Sequence, residues 1–142
     1  MATTRTATTH WEGSLFEGAG KVTLETSGIG TYDVSWASRA EEANGKTSPE
    51  ELIAAAHSAC FSMALSNGLA KAGSPATSLD SSAEVDFVPG TGITEIRLKV
   101  RATVDGMSNE DFVAAAEDAK ANCPVSQALA AVPSITLDAA LD

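Results

Sequence analysis

Hydrophobic and polar residues alternate, then cluster, in an order that predicts strands first, helices in the middle and strands again. Three short runs, Thr9–Phe16, Lys21–Thr26 and Thr31–Trp36, are separated by Glu17-Gly18-Ala19-Gly20 and Ser27-Gly28-Ile29-Gly30. Glycine-rich connections of this kind close hairpins, so the runs read as an antiparallel meander. A polar loop, Ala37 to Thr47, leads to Ser48-Pro49-Glu50-Glu51. Ser48 can cap a helix, Pro49 suits the first helical position, and Glu51 can reach back to complete a capping box. The helix that starts there is predicted to run to about Lys71. Gly73 then supplies a left-handed stop residue and Pro75 forbids continuation. Between Leu52 and Leu65 this helix is apolar or small almost all round, which predicts burial on most sides.

Period-two alternation returns in Ala83, Val85 and Phe87, and again from Ile96 through Val104, with Pro89-Gly90-Thr91-Gly92 as the turn between. Arg97, Lys99 and Arg101 alternate on one outer face and Glu84 and Asp86 on the other, so charge pairs worth a few tenths of a kcal/mol each should cross the hairpin. Ser108 to Asn122 reads as a second helix, with Phe112, Val113, Ala116 and Ala119 facing inward. Pro124 biases Cys123 out of the helical region, so a short helix from Val125 to Ala131 should begin with Cys123 near its N-cap. A strand over Ser134–Ala140 completes the pattern. Strands grouped around two internal helices, not alternating with them, imply an α+β fold with antiparallel sheets. No repeat or linker interrupts the 142 residues, so they are expected to form a single domain, residues 1–142.

Composition narrows the function classes. Nineteen acidic against nine basic residues give a net charge of −10, which repels phosphate backbones and anionic lipid. Neither nucleic acid nor membrane is an expected partner. The apolar stretches are broken by Ser, Gly, Asn or charge, and the Thr-rich first ten residues lack an apolar signal core, so the chain is expected to be cytoplasmic.

Only two cysteines are present, and in that setting they are more often free or catalytic thiols than a structural staple. Cys60 sits mid-helix, where a small buried residue is the plain reading. Cys123 stands at a helix N-terminus, where unpaired N–H groups and the positive dipole end lower a thiol's pKa. His57 lies three residues before Cys60 on the same helical face, which admits a Cys–His nucleophilic pair or metal ligands. A zinc site wants four ligands, and beyond these only Cys123 and His10 remain, so metal ranks low. Arg39 reads as a loop charge and Glu50 as a helix-dipole carboxylate.

Taken together, Asn44-Gly-Lys-Thr-Ser-Pro-Glu-Glu-Leu-Ile-Ala-Ala-Ala-His-Ser-Ala-Cys-Phe-Ser-Met-Ala-Leu65 and Ala119-Lys-Ala-Asn-Cys-Pro-Val-Ser-Gln-Ala-Leu129 closely resemble the OsmC family of the OsmC/Ohr peroxidases. The resemblance implies an intertwined homodimer and a thiol peroxidase that needs no cofactor. It makes Cys60 the peroxide-reacting cysteine and Cys123 the resolving one, with Arg39 and Glu50 as the polar part of the site. An organic hydroperoxide would be the substrate and an external dithiol the reductant. Phe61, Met63, Leu65 and the helix alanines are expected to form a pocket for the substrate's tail. Because Glu50 and Cys60 are ten residues apart on one helix, about 15 Å along its axis, Arg39 and Glu50 are expected to act from a partner chain. Two rivals remain at this stage: a Cys60/His57 hydrolase and a non-catalytic small-molecule-binding domain.

Overall fold

The computed structural model describes all 142 residues and divides into two compact units, Met1–Leu52 and Ile53–Asp142. The first contains β1 (Ala7–Glu12), β2 (Ala19–Leu24) and β3 (Thr31–Val34), joined as an antiparallel sheet in that order. The meander is as the turn signals imply, although β1 ends at Glu12 rather than at Phe16. The chain turns back at Gly13, whose φ is +90°, and a Cβ on Gly18 would collide with the Ser14 carbonyl.

The expected polar loop after β3 instead opens with a short helix, α1 (Trp36–Ala40). Ser35 and Ser38 cap it reciprocally: the Ser38 N–H donates to Ser35 Oγ at 3.1 Å and the Ser35 N–H to Ser38 Oγ at 3.0 Å. Ser38 Oγ also reaches the Thr47 carbonyl at 3.0 Å, so the helix is held from outside its own sequence.

Helix α2 (Pro49–Lys71) begins in the first unit and continues through the second. Ser48 caps it through the Glu51 N–H at 3.2 Å, but the Glu51 carboxylate accepts from the Thr47 hydroxyl and does not close the expected box. Gly73, at φ +85°, ends it: the Ser74 N–H donates to the Leu69 carbonyl at 2.9 Å and the Gly73 N–H to Ala70 at 3.0 Å, a Schellman closure.

In the second unit, β4 (Ser78–Val88) and β5 (Gly92–Thr103) form the expected hairpin, with Glu84 opposite Arg97. Arg97 donates to Glu84 at 2.9 Å and to Asp86 at 2.7 Å, the charge crossing that the alternation predicts. Next come α3 (Asn109–Asn122), capped by Ser108, α4 (Pro124–Ala128) and β6 (Ser134–Leu141). The expectation of purely antiparallel sheets is corrected here: β6 pairs with β5 in parallel, giving a mixed sheet ordered β4-β5-β6. The intervening helices supply the crossover that a parallel neighbour requires.

The core of this unit is Phe61, Leu65 and Leu69 of α2, Leu98, Val100 and Ala102 of β5, Phe112 and Ala116 of α3, and Cys123. Each fully buried Phe or Leu contributes about 1.5–3 kcal/mol.

The expectation that α2 is buried on most sides is also corrected. Its buried positions in the second unit, His57, Phe61, Leu65 and Leu69, recur every four residues and make one stripe. Ala55, Ala56, Ala59 and Met63 lie exposed, Met63 at 72%. The proposed ring of Phe61, Met63 and Leu65 therefore does not exist as a pocket, because helical rotation sends Met63 outward while the other two enter the core. By length and composition α2 is also apolar enough to cross a membrane, although Ser and Asn interrupt its apolar stretches. The same helix supplies the core stripe just described.

Candidate functional site

In the second unit α2 carries Cys60 and the α3–α4 junction carries Cys123, and the two thiols are close enough for each to shift the other's titration. Both are free thiols, Cys123 fully buried and Cys60 partly exposed. The junction exists because Pro124 cannot continue α3. Cys123 leaves the helical region at φ −57°, ψ 125°, while its N–H still bonds to Ala119 at 2.9 Å and its carbonyl accepts from Gln127 at 3.0 Å. Both sides of its backbone are thus fixed.

The two thiols are electrostatically unequal. Burial pushes Cys60 up, and the hydrogen bond it makes to Cys123 pushes it further in the same direction. Burial is the largest single influence on Cys123 as well, again upward. It is outweighed by hydrogen bonding from Cys60, by the backbone amides of Ser126 and Val125 at the start of α4, and by the Ser126 hydroxyl. The net direction for Cys123 is down. The two sulfurs are thus pushed in opposite directions, Cys60 up and Cys123 down.

His57 does not face Cys60. It is fully buried, and its Nε2 lies 2.7 Å from Ser126 Oγ. Its Nδ1 is buried without a hydrogen-bond partner. Side chains three apart on a helix stand side by side, and here both point toward α4 rather than at one another. The Cys60/His57 nucleophilic pair of the hydrolase reading is therefore absent.

Burial lowers the His57 pKa, which makes a testable stability statement. With a folded-state pKa below the unfolded ~6.5, the unfolded chain binds the extra proton first, so this contribution is complete above that value and is lost as pH falls below it. Unfolding free energy measured in urea should fall as the pH drops below ~6.5, with a slope of up to ~1.4 kcal/mol per pH unit from this residue. That component should be missing in His57→Gln.

In the first unit Arg39 of α1 and Glu50 of α2 form a forked ion pair, with Nε 3.0 and 3.2 Å from the two carboxylate oxygens and NH2 2.9 Å from Oε1. The Glu50 side chain is only 7% exposed and that of Arg39 33%. A buried carboxylate needs such a partner, and the two-point contact fixes the guanidinium plane. Arg39 and Glu50, which read separately in the sequence as a loop charge and a helix-dipole carboxylate, are thus paired with each other.

Two features escaped the sequence reading. One is Ser126, which bonds His57 and lowers the pKa of the Cys123 thiol. Its position three residues after the N-cap of α4 was the available signal, since N3 side chains sit next to the cap. The other is an apolar cleft of about 370 Å³ in the first unit, lined by Trp11, Leu15, Val22, Val34, Trp36 and Arg39, among others. Both tryptophans of an aromatic-poor chain line it.

Two free thiols from distant segments, one on α2 and one at the start of α4, come together within an α+β unit. The chain belongs to the OsmC-like protein family, whose model matches residues 42–138. Its sequence is 45% identical over 132 residues to peroxiredoxin OsmC of Escherichia coli strain K12, covering 91% of this chain and 90% of that one, and equally to peroxiredoxin OsmC of Shigella flexneri. Its fold matches the crystal structure of an organic hydroperoxide resistance protein OsmC from Legionella pneumophila, with TM-score 0.71 and 23% identity over 99% of this chain and 98% of that one. It also matches the organic hydroperoxide resistance protein OhrB of Bacillus subtilis, with TM-score 0.65 and 21% identity over 96% and 98%.

Proposed function

We propose that this chain is a cysteine-based peroxidase that reduces organic hydroperoxides to alcohols through Cys60 and Cys123 and is reset by an external dithiol. The observation that carries the reading is the contact between the two free thiols. Cys123 is the more acidic sulfur but has no exposed surface, whereas Cys60 is partly exposed. Access therefore selects Cys60 as the attacking atom. Its proton passes to the neighbouring Cys123, and the Cys60 thiolate attacks the peroxide, forming S–O as O–O breaks. The departing alkoxide takes a proton and leaves as the alcohol, with Cys60 as sulfenic acid. Cys123 then attacks that sulfur, water leaves, and the disulfide forms before further oxidation.

A thiolate that burial disfavours needs a cation. Arg39, oriented by Glu50, is proposed to supply it and to stabilise the alkoxide, acting from the partner copy of a homodimer. The exposed small and apolar face of α2, Ala55, Ala59 and Met63, is proposed as part of the surface that the second copy covers. The cleft beside Arg39 is proposed to hold the alkyl or aryl tail, which favours organic hydroperoxides over hydrogen peroxide. A monomer by gel filtration with light scattering would remove the shared-site part of this reading.

The central test is a thiol count. One equivalent of an aryl hydroperoxide added anaerobically to reduced protein should consume both thiols and leave an intramolecular disulfide, seen as the loss of two hydrogens by mass spectrometry. Survival of both thiols would overturn the peroxidase.

A further inference from the structure

His57 is the one buried titratable side chain in the second unit that the peroxidase chemistry above leaves unused, and its partner Ser126 is buried with it. Ser126 Oγ lies 2.7 Å from His57 Nε2, and Ser126 stands at the third position of α4, whose N-cap is Cys123, where its hydroxyl lowers that thiol's pKa. His57, Ser126 and Cys123 are all buried, with Cys60 at the partly exposed end, and the direction of the hydrogen bond between His57 and Ser126 follows from the one unsatisfied atom.

A neutral imidazole carries its proton on one nitrogen only. With the proton on Nδ1, a buried N–H would have no acceptor, and the Ser126 proton would be spent on Nε2. With the proton on Nε2, the orphan is a bare lone pair, which proteins tolerate more readily than an orphaned donor. Ser126 Oγ then accepts from His57 and has its own proton left for Cys123 Sγ. Protonation of both nitrogens would restore the orphaned donor and add a buried charge.

We propose that His57 and Ser126 are positioning residues for the resolving step: His57 Nε2–H donates to Ser126 Oγ, which turns the serine proton onto Cys123 Sγ and holds that sulfur as the ready nucleophile. The inference rests on the assignment of Cys123 as the resolving cysteine. In the step it serves, the Cys123 thiolate attacks the sulfur of the Cys60 sulfenic acid. The S–S bond forms as S–O breaks, the Cys123 sulfur is oxidised and the Cys60 sulfur reduced to the disulfide level, and the released hydroxide takes a proton from solvent to leave as water. His57 stays neutral throughout, so it is not an acid–base group. It sets which way the hydroxyl points.

Two measurements separate this role from simple packing. The first needs no peroxide: the pH titration of ultraviolet thiolate absorbance, followed in wild type, Ser126→Ala, His57→Leu and His57→Gln. Ser126→Ala and His57→Leu should move the first thiolate titration to higher pH, and His57→Gln, whose amide nitrogen can take the place of Nε2–H, should recover most of the shift. The second is stopped-flow with an aryl hydroperoxide and a dione trap for sulfenic acid. Sulfenic acid should form at the wild-type rate in Ser126→Ala and His57→Leu but persist, because disulfide closure slows about tenfold, the worth of one hydrogen bond to a charged sulfur. An unchanged titration in folded Ser126→Ala, or an unslowed closure, overturns the proposal. Absence of sulfenic acid and disulfide in the wild type would instead strike the peroxidase reading, while the titration still decides how the row of hydrogen bonds runs.

Discussion

Cys60→Ser is expected to reduce organic-hydroperoxide consumption to background, a loss of about 10³-fold or more. The size follows from the chemistry of the atom removed: a serine hydroxyl is not ionised near neutral pH, and its oxygen is a poor nucleophile toward an O–O bond. The variant is informative because it leaves the more acidic thiol in place. In the wild type, hydrogen bonds from Cys60, from two α4 amides and from Ser126 hold Cys123 down, while burial holds Cys60 up. If acidity alone chose the attacking sulfur, Cys60→Ser would keep most of its activity. If access chooses, as proposed, the fully buried Cys123 cannot substitute. Peroxide consumption followed at fixed pH by a ferrous–dye assay distinguishes the two, and activity within tenfold of wild type would reverse the roles.

Cys123→Ser should have a different signature. The first turnover still proceeds, since Cys60 remains and the smaller serine leaves room in the core. Multiple turnover with a dithiol should then fall at least about tenfold, and Cys60 should pass to sulfinic acid under excess peroxide, visible as added oxygen by intact mass. The variant also loses the upward push that Cys123 exerts on Cys60, so the Cys60 thiolate should appear at lower pH than in the wild type. Normal multiple turnover in Cys123→Ser would remove the resolving role and, with it, the inference about His57.

What was legible in the sequence was what neighbours along the chain decide. Ser48-Pro49 and Gly73 fix the ends of α2 through bonds spanning at most five residues, and these were read correctly. Cys123 before Pro124 likewise announced the α3–α4 break. Helix α1 was missed because its five residues depend on Ser38 reaching Thr47, nine positions on. The parallel placement of β6 depends on how α3 and α4 carry the chain across the sheet, which no local pattern records. The site divides the same way. The resemblance, not any local pattern, singles out Arg39 and Glu50 beside the two cysteines, and the partner of His57 stands 69 residues away, where spacing along α2 suggests Cys60 instead.

The fixed backbone at Cys123 also bears on how the oxidised protein is recycled. With its N–H and carbonyl both engaged and no surface of its own, Cys123 cannot turn outward to greet a reductant. In the proposed cycle an incoming thiolate would meet the Cys60 sulfur first, so that the mixed disulfide would form there and Cys123 depart. The same contacts that favour its anion make it a good leaving group, and exchange is fastest when the departing thiol is the more acidic one.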